Sequence, residues 1–342
     1  MLRGAISGFG EVAAHAHLAG WLSRPDVAIV AVHEPTASRR HAAINLVKNV
    51  RVYDDLELML AGEALDFVDI ASPPAFHAAT ARMALEAGAH VLVEKPLCLE
   101  RGELAQLSGL AARQSRVLMC VHNWKHSPVY RRAHELIDSG RIGAPRFVSL
   151  ARLRNAPAGA GGSTGIGGER WRLDAATGGG ILIDHGWHTC YLAQWLMGGT
   201  RPCAISAHLG IAEGSGVEEV ADIRVEFPQG RIADMHLSWR APVRRTGATI
   251  YGDEALIEIE GDRLVMTDRA GRVSDYSAND APDDSYHSAW FGGVAGDFAR
   301  AVAQGPAGAT MRENLAEADT AVALIAAARN SAANSGSSVA VG

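Results

Sequence analysis

The stretch LRGAISGFGEVA, residues 2–13, decides the fold. A strand-like apolar run enters a turn at Gly8 and Gly10, and a helical pattern follows through about Ser23. GFGEVA fits the spacing G-x-G-x-x-A, in which each small residue has a task. Gly8 permits the tight turn, Gly10 lets the backbone approach a pyrophosphate, and Ala13 lets the helix pack near the sheet. The helix start adds free N–H donors and the positive end of a dipole. Glycine-rich turns are common, so context decides. This one follows a strand, opens a helix, and precedes the acidic Glu34, at the end of VAIVAVHE (27–34), by about 20 residues. A carboxylate there accepts hydrogen bonds from ribose hydroxyls and repels a 2′-phosphate, which favours NAD. Arg39 and Arg40 can relieve a 2′-phosphate by swinging in, so NADP is disfavoured rather than excluded.

Working outward, short apolar runs recur at LDFVDIAS (65–72), HVLVEK (90–95) and VLMCVHN (117–123), with helix-like segments at 75–88 and 99–114. Strands alternating with helices predict parallel βαβ units covered on both faces. After 123 the texture changes. SPVYRRAHELIDSGRIG reads as a helix ending at Gly140, and RFVSLARLR as a strand. From 203 to 276, β-rich stretches are separated by turn signals at 228–230, 252–254, 260–262 and 269–272, the mark of antiparallel neighbours. Helical patterns at 289–304 and 313–332 close the chain. The fold expected is α/β: a dinucleotide-binding domain over 1–122, then an α+β domain over 123–342 built on a large, mostly antiparallel open sheet. The last helix is free to pack back toward the first domain. The glycine-rich 158–168 reads as a loop.

Composition narrows the function classes. With 342 residues, 48% hydrophobic and 20% charged, the chain has ample core for two domains. A net charge of −6 argues against nucleic acid or an anionic membrane surface as partner. Four cysteines at 98, 120, 190 and 203 form no CxxC pair, which fits a reducing compartment, and no signal-like N-terminus is read. The expectation is a cytoplasmic protein with no membrane span.

Three further motifs carry chemistry. ASPPAFH (71–77) follows a strand, and its prolines fix a rigid turn at the edge where doubly wound sheets bind ligands. Ser72 and Pro73 are expected to line the nicotinamide side. His77 either joins them or is a first-turn helix residue satisfied by the backbone. VLVEKPL (91–97) brings Lys95 to the same edge between Glu94 and Pro96, and a cis Lys95–Pro96 peptide is expected. GGGILIDHGWH (178–188) sets Asp184 and His188 four apart, on one face of a helix, with Tyr191 a turn further on and His185 and Trp187 projecting elsewhere. The pair can hold a metal, move a proton or simply pack. A metal needs a third ligand, and the segment shows no HExxH-like arrangement. The three glycines imply a close backbone approach.

GFGEVA, Glu34, SPPAFH, EKP and GGGILIDHGWH, in this order, together with SGRIG (139–143) and WRLD (171–174), closely resemble the Gfo/Idh/MocA oxidoreductases. The resemblance covers nearly the whole chain. It implies a Rossmann domain, an α/β domain whose sheet often joins subunits into dimers or tetramers, and NAD(P)-dependent oxidation of a secondary alcohol on a sugar, inositol or sugar derivative, or the reverse reduction. It makes Lys95, Asp184 and His188 the catalytic set. Cofactor contacts are expected from Gly8, Phe9, Gly10, Glu11, Val12, Glu34, Ser72, Pro73, His77, Glu94, Lys95, Asn123, Trp171 and Arg172, and substrate contacts from Lys95, Trp124, Asp184 and His188, with no metal. Two departures concern the substrate: Lys125 stands near a place where the family commonly has Arg, and the glycine-rich 155–168 is unusually long. Two rival readings are an NAD-dependent glycoside hydrolase without net redox, and a sugar- or dinucleotide-sensing regulator.

Overall fold

The apolar runs of the first 120 residues become six strands of one parallel sheet in the computed structural model, which describes residues 1–157, 170–214, 216–278 and 286–342. They are β1 (Leu2–Ser7), β2 (Val27–His33), β3 (Arg51–Tyr53), β4 (Phe67–Ile70), β5 (His90–Val93) and β6 (Leu118–Cys120), in spatial order β3-β2-β1-β4-β5-β6. The order reverses between β1 and β4, and the carboxyl ends of strands beside such a switch are where ligands bind. All four residues of β4 are buried, as expected of a strand covered on both faces. The intervening helices are α1 (Leu18–Leu22, entered through a π-turn at Ala13–His17), α2 (Ala37–Leu46), α3 (Leu56–Gly62), α4 (His77–Glu86) and α5 (Arg101–Arg113). Local chemistry starts two of them: Asp55 accepts from the Glu57 and Leu58 N–H groups, and Glu100 and Glu103 form a capping box.

The second sheet has nine strands. After α6 (Pro128–Asp138) come β7 (Pro145–Leu153) and α7 (Trp187–Leu196), itself entered through a π-turn at Leu182–Gly186. β8 (Ala204–Ile211), β9 (Glu218–Phe227), β10 (Arg231–Ser238), β11 (Arg245–Gly252), β12 (Ala255–Glu260), β13 (Arg263–Asp268) and β14 (Val273–Asp275) follow. The helices α8 (Ser288–Gln304) and α9 (Ala309–Ala333) and the short β15 (Val339–Ala340) complete the chain. The order is β14-β13-β12-β11-β7-β10-β9-β8-β15, antiparallel at every pair except β7–β10. Burial alternates along β9, so one face packs while the other carries cross-strand pairs such as Arg224–Asp234 (2.8 Å) and His236–Asp222 (2.5 Å).

The chain divides into two compact units. The first takes residues 1–123 and 286–319 of those described, and the second takes 124–157, 170–278 and 320–342. The sequence reading drew α8 with the later domain; its side chains place it with the first sheet. Phe291 and Phe298 pack on Trp21, and Phe298 also on Phe67, with ring centroids 5.5–6.0 Å apart. Glycine-rich residues 158–168 lie outside the described residues.

Candidate active site

In the first unit, Gly8 sits at φ +88°, and a Cβ there would stand 2.5 Å from the Ser72 backbone nitrogen, so only glycine fits. The next residue, Phe9, is fully buried and gives its N–H to Glu34 Oε2 (2.8 Å), while Glu34 Oε1 accepts the Thr36 N–H (2.8 Å). Glu34 is thus an anchored carboxylate at the end of β2, braced by the backbone of the glycine turn itself. Arg40 spends its guanidinium on the Glu34 and Pro35 carbonyls (2.8 and 2.7 Å). Arg39 lies 3.8 Å from Glu34. Glu11 accepts from the Tyr286 hydroxyl (2.9 Å) and faces His15 Nε2 (3.2 Å).

The residues present fit a dinucleotide. Ser72 Oγ and Asn123 Oδ1 are buried with no partner among the described residues, a cost that a polar ligand removes. His77 behaves otherwise: Nδ1 faces the Pro96 carbonyl and Nε2 the Ser72 carbonyl, each at 2.6 Å. Burial pushes its pKa below the ordinary histidine value and the two carbonyls push back. A neutral ring donates to one of these carbonyls and turns a lone pair on the other, so His77 sits between the SPP and EKP turns and its tautomer decides which it bonds.

The EKP turn is held from behind. Glu94 Oε2 accepts the Lys95 N–H (2.7 Å), and the Lys95–Pro96 peptide is cis, as expected. Glu94 Oε1 faces His17 Nε2 (3.3 Å), and His17 Nδ1 faces both oxygens of Asp69 (2.9 and 3.1 Å). Burial alone would lower the His17 pKa, but Asp69 and then Glu94 raise it to about 9. Burial likewise works to raise Glu94, and His17 and Lys95 hold it low.

In the second unit the glycine run makes the close backbone approach expected of it. A Cβ on Gly179 would stand 2.7–2.8 Å from the carbonyl oxygens of Trp171, Arg172 and Asp174, and one on Gly180 (φ +106°) would strike the Glu218 carboxylate. The close approach is therefore to the protein's own 171–174 turn and to Glu218. The Gly179 and Gly180 N–H groups bond the Asp174 and Arg172 carbonyls (2.9 and 3.0 Å), locking that turn in place. Arg172 then reaches Asp184, Nε to Oδ1 3.1 Å, and stacks over Trp171 (4.4 Å). His185, expected to project elsewhere, has Nε2 3.6 Å from Asp184 Oδ2, because the segment opens as a π-turn and not a regular helix.

His188 is 6% exposed, and its Nδ1 lies 3.1 Å from the Tyr191 hydroxyl, which accepts the Trp124 N–H (3.1 Å). The Trp124 and His188 rings are 5.9 Å apart. Behind Trp124 lies the fully buried Arg152, 4.3 Å over the indole and bonded to the Tyr130 hydroxyl (2.9 Å). Arg154 is pulled down to about 10 by burial and by the charges of Arg244 and Arg152. Sequence reasoning passed over both arginines, although period-two alternation through Val148, Leu150, Arg152 and Arg154 marks them as inward-facing. The structure thus gathers Gly8, Glu34, Ser72, His77 and Glu94 in the first unit, and Trp124, Trp171, Arg172, Asp184 and His188 in the second. Among the described residues, no group of three or more His, Cys, Asp or Glu side chains is arranged to hold a metal, and no helix is long and apolar enough to cross a membrane.

Comparison with known proteins gives the family. Residues 2–122 match the oxidoreductase family with NAD-binding Rossmann fold, and residues 130–258 match the GFO/IDH/MocA C-terminal domain. The chain belongs to the GFO/IDH/MocA oxidoreductase family. Among its relatives is the D-glucoside 3-dehydrogenase of Escherichia coli (strain K12), 27% identical over 84% of each chain. The 1-carboxy-3-chloro-3,4-dihydroxycyclohexa-1,5-diene dehydrogenase of Comamonas testosteroni is 31% identical, over 55% of this chain and 45% of that one. Among solved structures, GenD2 from gentamicin A biosynthesis, in complex with NAD, superposes with a TM-score of 0.84 at 26% identity, covering 100% of this chain and 96% of that one.

Proposed function

We propose that this NAD-binding oxidoreductase interconverts a secondary alcohol and its ketone on a sugar, inositol or related polyol, with Lys95, Asp184 and His188 as catalytic residues. The observation that carries the reading is the pairing of His188 with Tyr191. A phenolic oxygen has two lone pairs and one proton. With one lone pair taken by the Trp124 N–H, it can accept from a protonated Nδ1 or donate to a bare one. His188 is therefore supported in either tautomer and as imidazolium, which suits a group that takes a proton at Nε2 and returns it.

When bound, NAD supplies the hydride acceptor. In oxidation the substrate loses its carbinol hydrogen as hydride and its hydroxyl proton to His188, leaving a ketone. Lys95 hydrogen-bonds the reacting oxygen and stabilises the negative charge that develops on it. Asp184, with Arg172 Nε 3.1 Å from its Oδ1, accepts from a neighbouring hydroxyl. Trp124 offers a flat apolar face to a sugar ring. Ser72 and Asn123 take polar groups of the dinucleotide, and Trp171 and Arg172 are assigned to its nicotinamide side. The anchored Glu34 accepts from the ribose and repels a 2′-phosphate, so NAD is preferred to NADP. The similarity to a D-glucoside 3-dehydrogenase, and to an enzyme of gentamicin A biosynthesis, supports a sugar-like substrate. The protein is further read as a cytoplasmic homo-oligomer joined through its second sheet.

The test is a screen of absorbance at 340 nm with NAD and NADP against a polyol and sugar panel. Substrate-dependent NADH formation is expected. Free sugar released from a glycoside with no net NADH would instead identify a hydrolase.

A further inference from the structure

We propose that His17 is a positioning residue for Lys95, acting through Glu94; the proposal rests on the role given to Lys95 above. The His17 side chain is 1% exposed and lies in the π-turn that follows the glycine motif, with the Phe291 ring of α8 stacked on it at 4.0 Å. Each ring nitrogen faces a carboxylate: Nδ1 meets Asp69 at 2.9 Å and Nε2 meets Glu94 at 3.3 Å. Both contacts are hydrogen bonds only if both nitrogens carry hydrogen, because a neutral ring would turn a lone pair on one carboxylate. Asp69 is fixed in turn, on the central strand β4, by the indole N–H of Trp21 (2.7 Å).

A chain of bonds thus runs from the sheet core through His17 to Glu94. The other Glu94 oxygen takes the backbone N–H of Lys95 (2.7 Å). A carboxylate bonded through each of its oxygens has its plane set, so His17 fixes Glu94 and Glu94 fixes the start of the lysine. On the far side, the Pro96 carbonyl faces His77 Nδ1 at 2.6 Å. The backbone beside Lys95 is thus contacted on both sides, by Glu94 before it and by His77 after it. Stability alone does not call for this arrangement, since apolar side chains of similar volume serve as well as buried ions or better. Orientation of the next residue does call for it, because an ångström of misplacement can lower turnover about 10²-fold.

The test is a double-mutant cycle on His17→Gln and Lys95→Met, assayed with the best substrate of the panel. His17→Gln is expected to lower kcat roughly 10- to 100-fold while NADH affinity by fluorescence titration stays at the parent value. In the Lys95→Met background the same change should add less than about twofold, because the position it maintains is no longer used. Equal losses in both backgrounds would make His17 a merely structural residue and overturn the proposal. A normal His17→Gln beside a crippled Lys95→Met would overturn it while sparing Lys95. A fully active Lys95→Met would overturn the reading of Lys95 and this proposal with it. Should His17→Gln fail to fold, Glu94→Gln keeps the size and the acceptor for the Lys95 N–H and is expected to lower kcat in the same non-additive way. Independently of activity, nitrogen NMR of the His17 ring should show both nitrogens protonated at pH 7.5, and a neutral ring would refute the bonding pattern.

Discussion

Two helices of this protein begin alike and present different things. Each follows a glycine turn, opens as a π-turn (Ala13–His17 and Leu182–Gly186) and continues as an α-helix. In each, glycine is required because the protein packs against itself: Ser72 backbone over Gly8, and the 171–174 turn over Gly179. At the first turn the side chains face inward, with Phe9 and His17 buried, which leaves backbone amides and a helix dipole for a charged ligand. At the second the π-turn and the first helical turn carry Asp184 and His188, backed by Arg172 and Tyr191. On the function proposed above, the first device holds a cofactor with backbone and the second does chemistry with side chains. Glycine spacing alone does not tell them apart.

The sharpest way to break this comparison is to remove the chemistry and keep the cradle. His188→Ala or Lys95→Met is expected to lower turnover about 10²–10⁴-fold, as loss of a placed acid–base group does, while NADH affinity holds. Near-normal turnover in both variants would leave the second device without its assigned task.

This contrast also marks what the sequence could tell. Most strands were legible because apolar runs bounded by turn residues are direct signals of buried strands. The segment 35–64 was not read, since α2 buries only Ala43 and shows no apolar stripe. The candidate site residues could be named from their motifs. Their reasons could not, because the partners are distant in the chain: Gly180 answers to Glu218, His17 to Asp69, and Trp124 to Tyr191. The place of α8 was hidden for the same reason, as its phenylalanines meet Trp21, some 270 residues earlier.

A second test separates the two devices by pH. Asp69 from β4 and Glu94 at the end of β5 are the charged groups facing His17, and Phe291 covers its ring. Burial works against the charged ring, but the carboxylates raise its pKa from 6.5 to about 9. A raised value means that the stabilisation is whole below pH 6.5 and is lost as pH climbs through about 9. At 1.36 kcal/mol per unit the span is about 3 kcal/mol. Urea unfolding at pH 6, 7.5 and 9 should show the parent protein losing this advantage over His17→Gln. A constant difference across the range would mean that the ring stays neutral.

Weaker effects come from the glycines. Gly8→Ala meets both a positive φ and the Ser72 backbone, and Gly179→Ala meets three carbonyls at an ordinary φ. Each is expected to cost ~1–3 kcal/mol in thermal unfolding. The readouts should divide: Gly8→Ala loses NADH affinity, whereas Gly179→Ala keeps it and loses kcat as Arg172 shifts away from Asp184. Loss of NADH affinity in both would erase the distinction between the two turns.

The smallest effect tests the feature on which the functional reading leans. Tyr191→Phe removes one oxygen that serves two partners, the Trp124 N–H and His188 Nδ1. The buried amide loses its acceptor, at a cost of ~1–3 kcal/mol of stability. His188 keeps its place in α7 and its own protons, so the acid–base group is still present, but the hydroxyl that suits either of its tautomers is gone. Turnover is therefore expected to fall by about tenfold, the equivalent of 1.4 kcal/mol, far less than in His188→Ala. The loss should also depend on pH, since the hydroxyl helps most in the state where Nδ1 must donate. A pH–kcat profile of Tyr191→Phe parallel to that of the parent would mean that the hydroxyl only anchors Trp124, and proton handling would then rest on His188 alone.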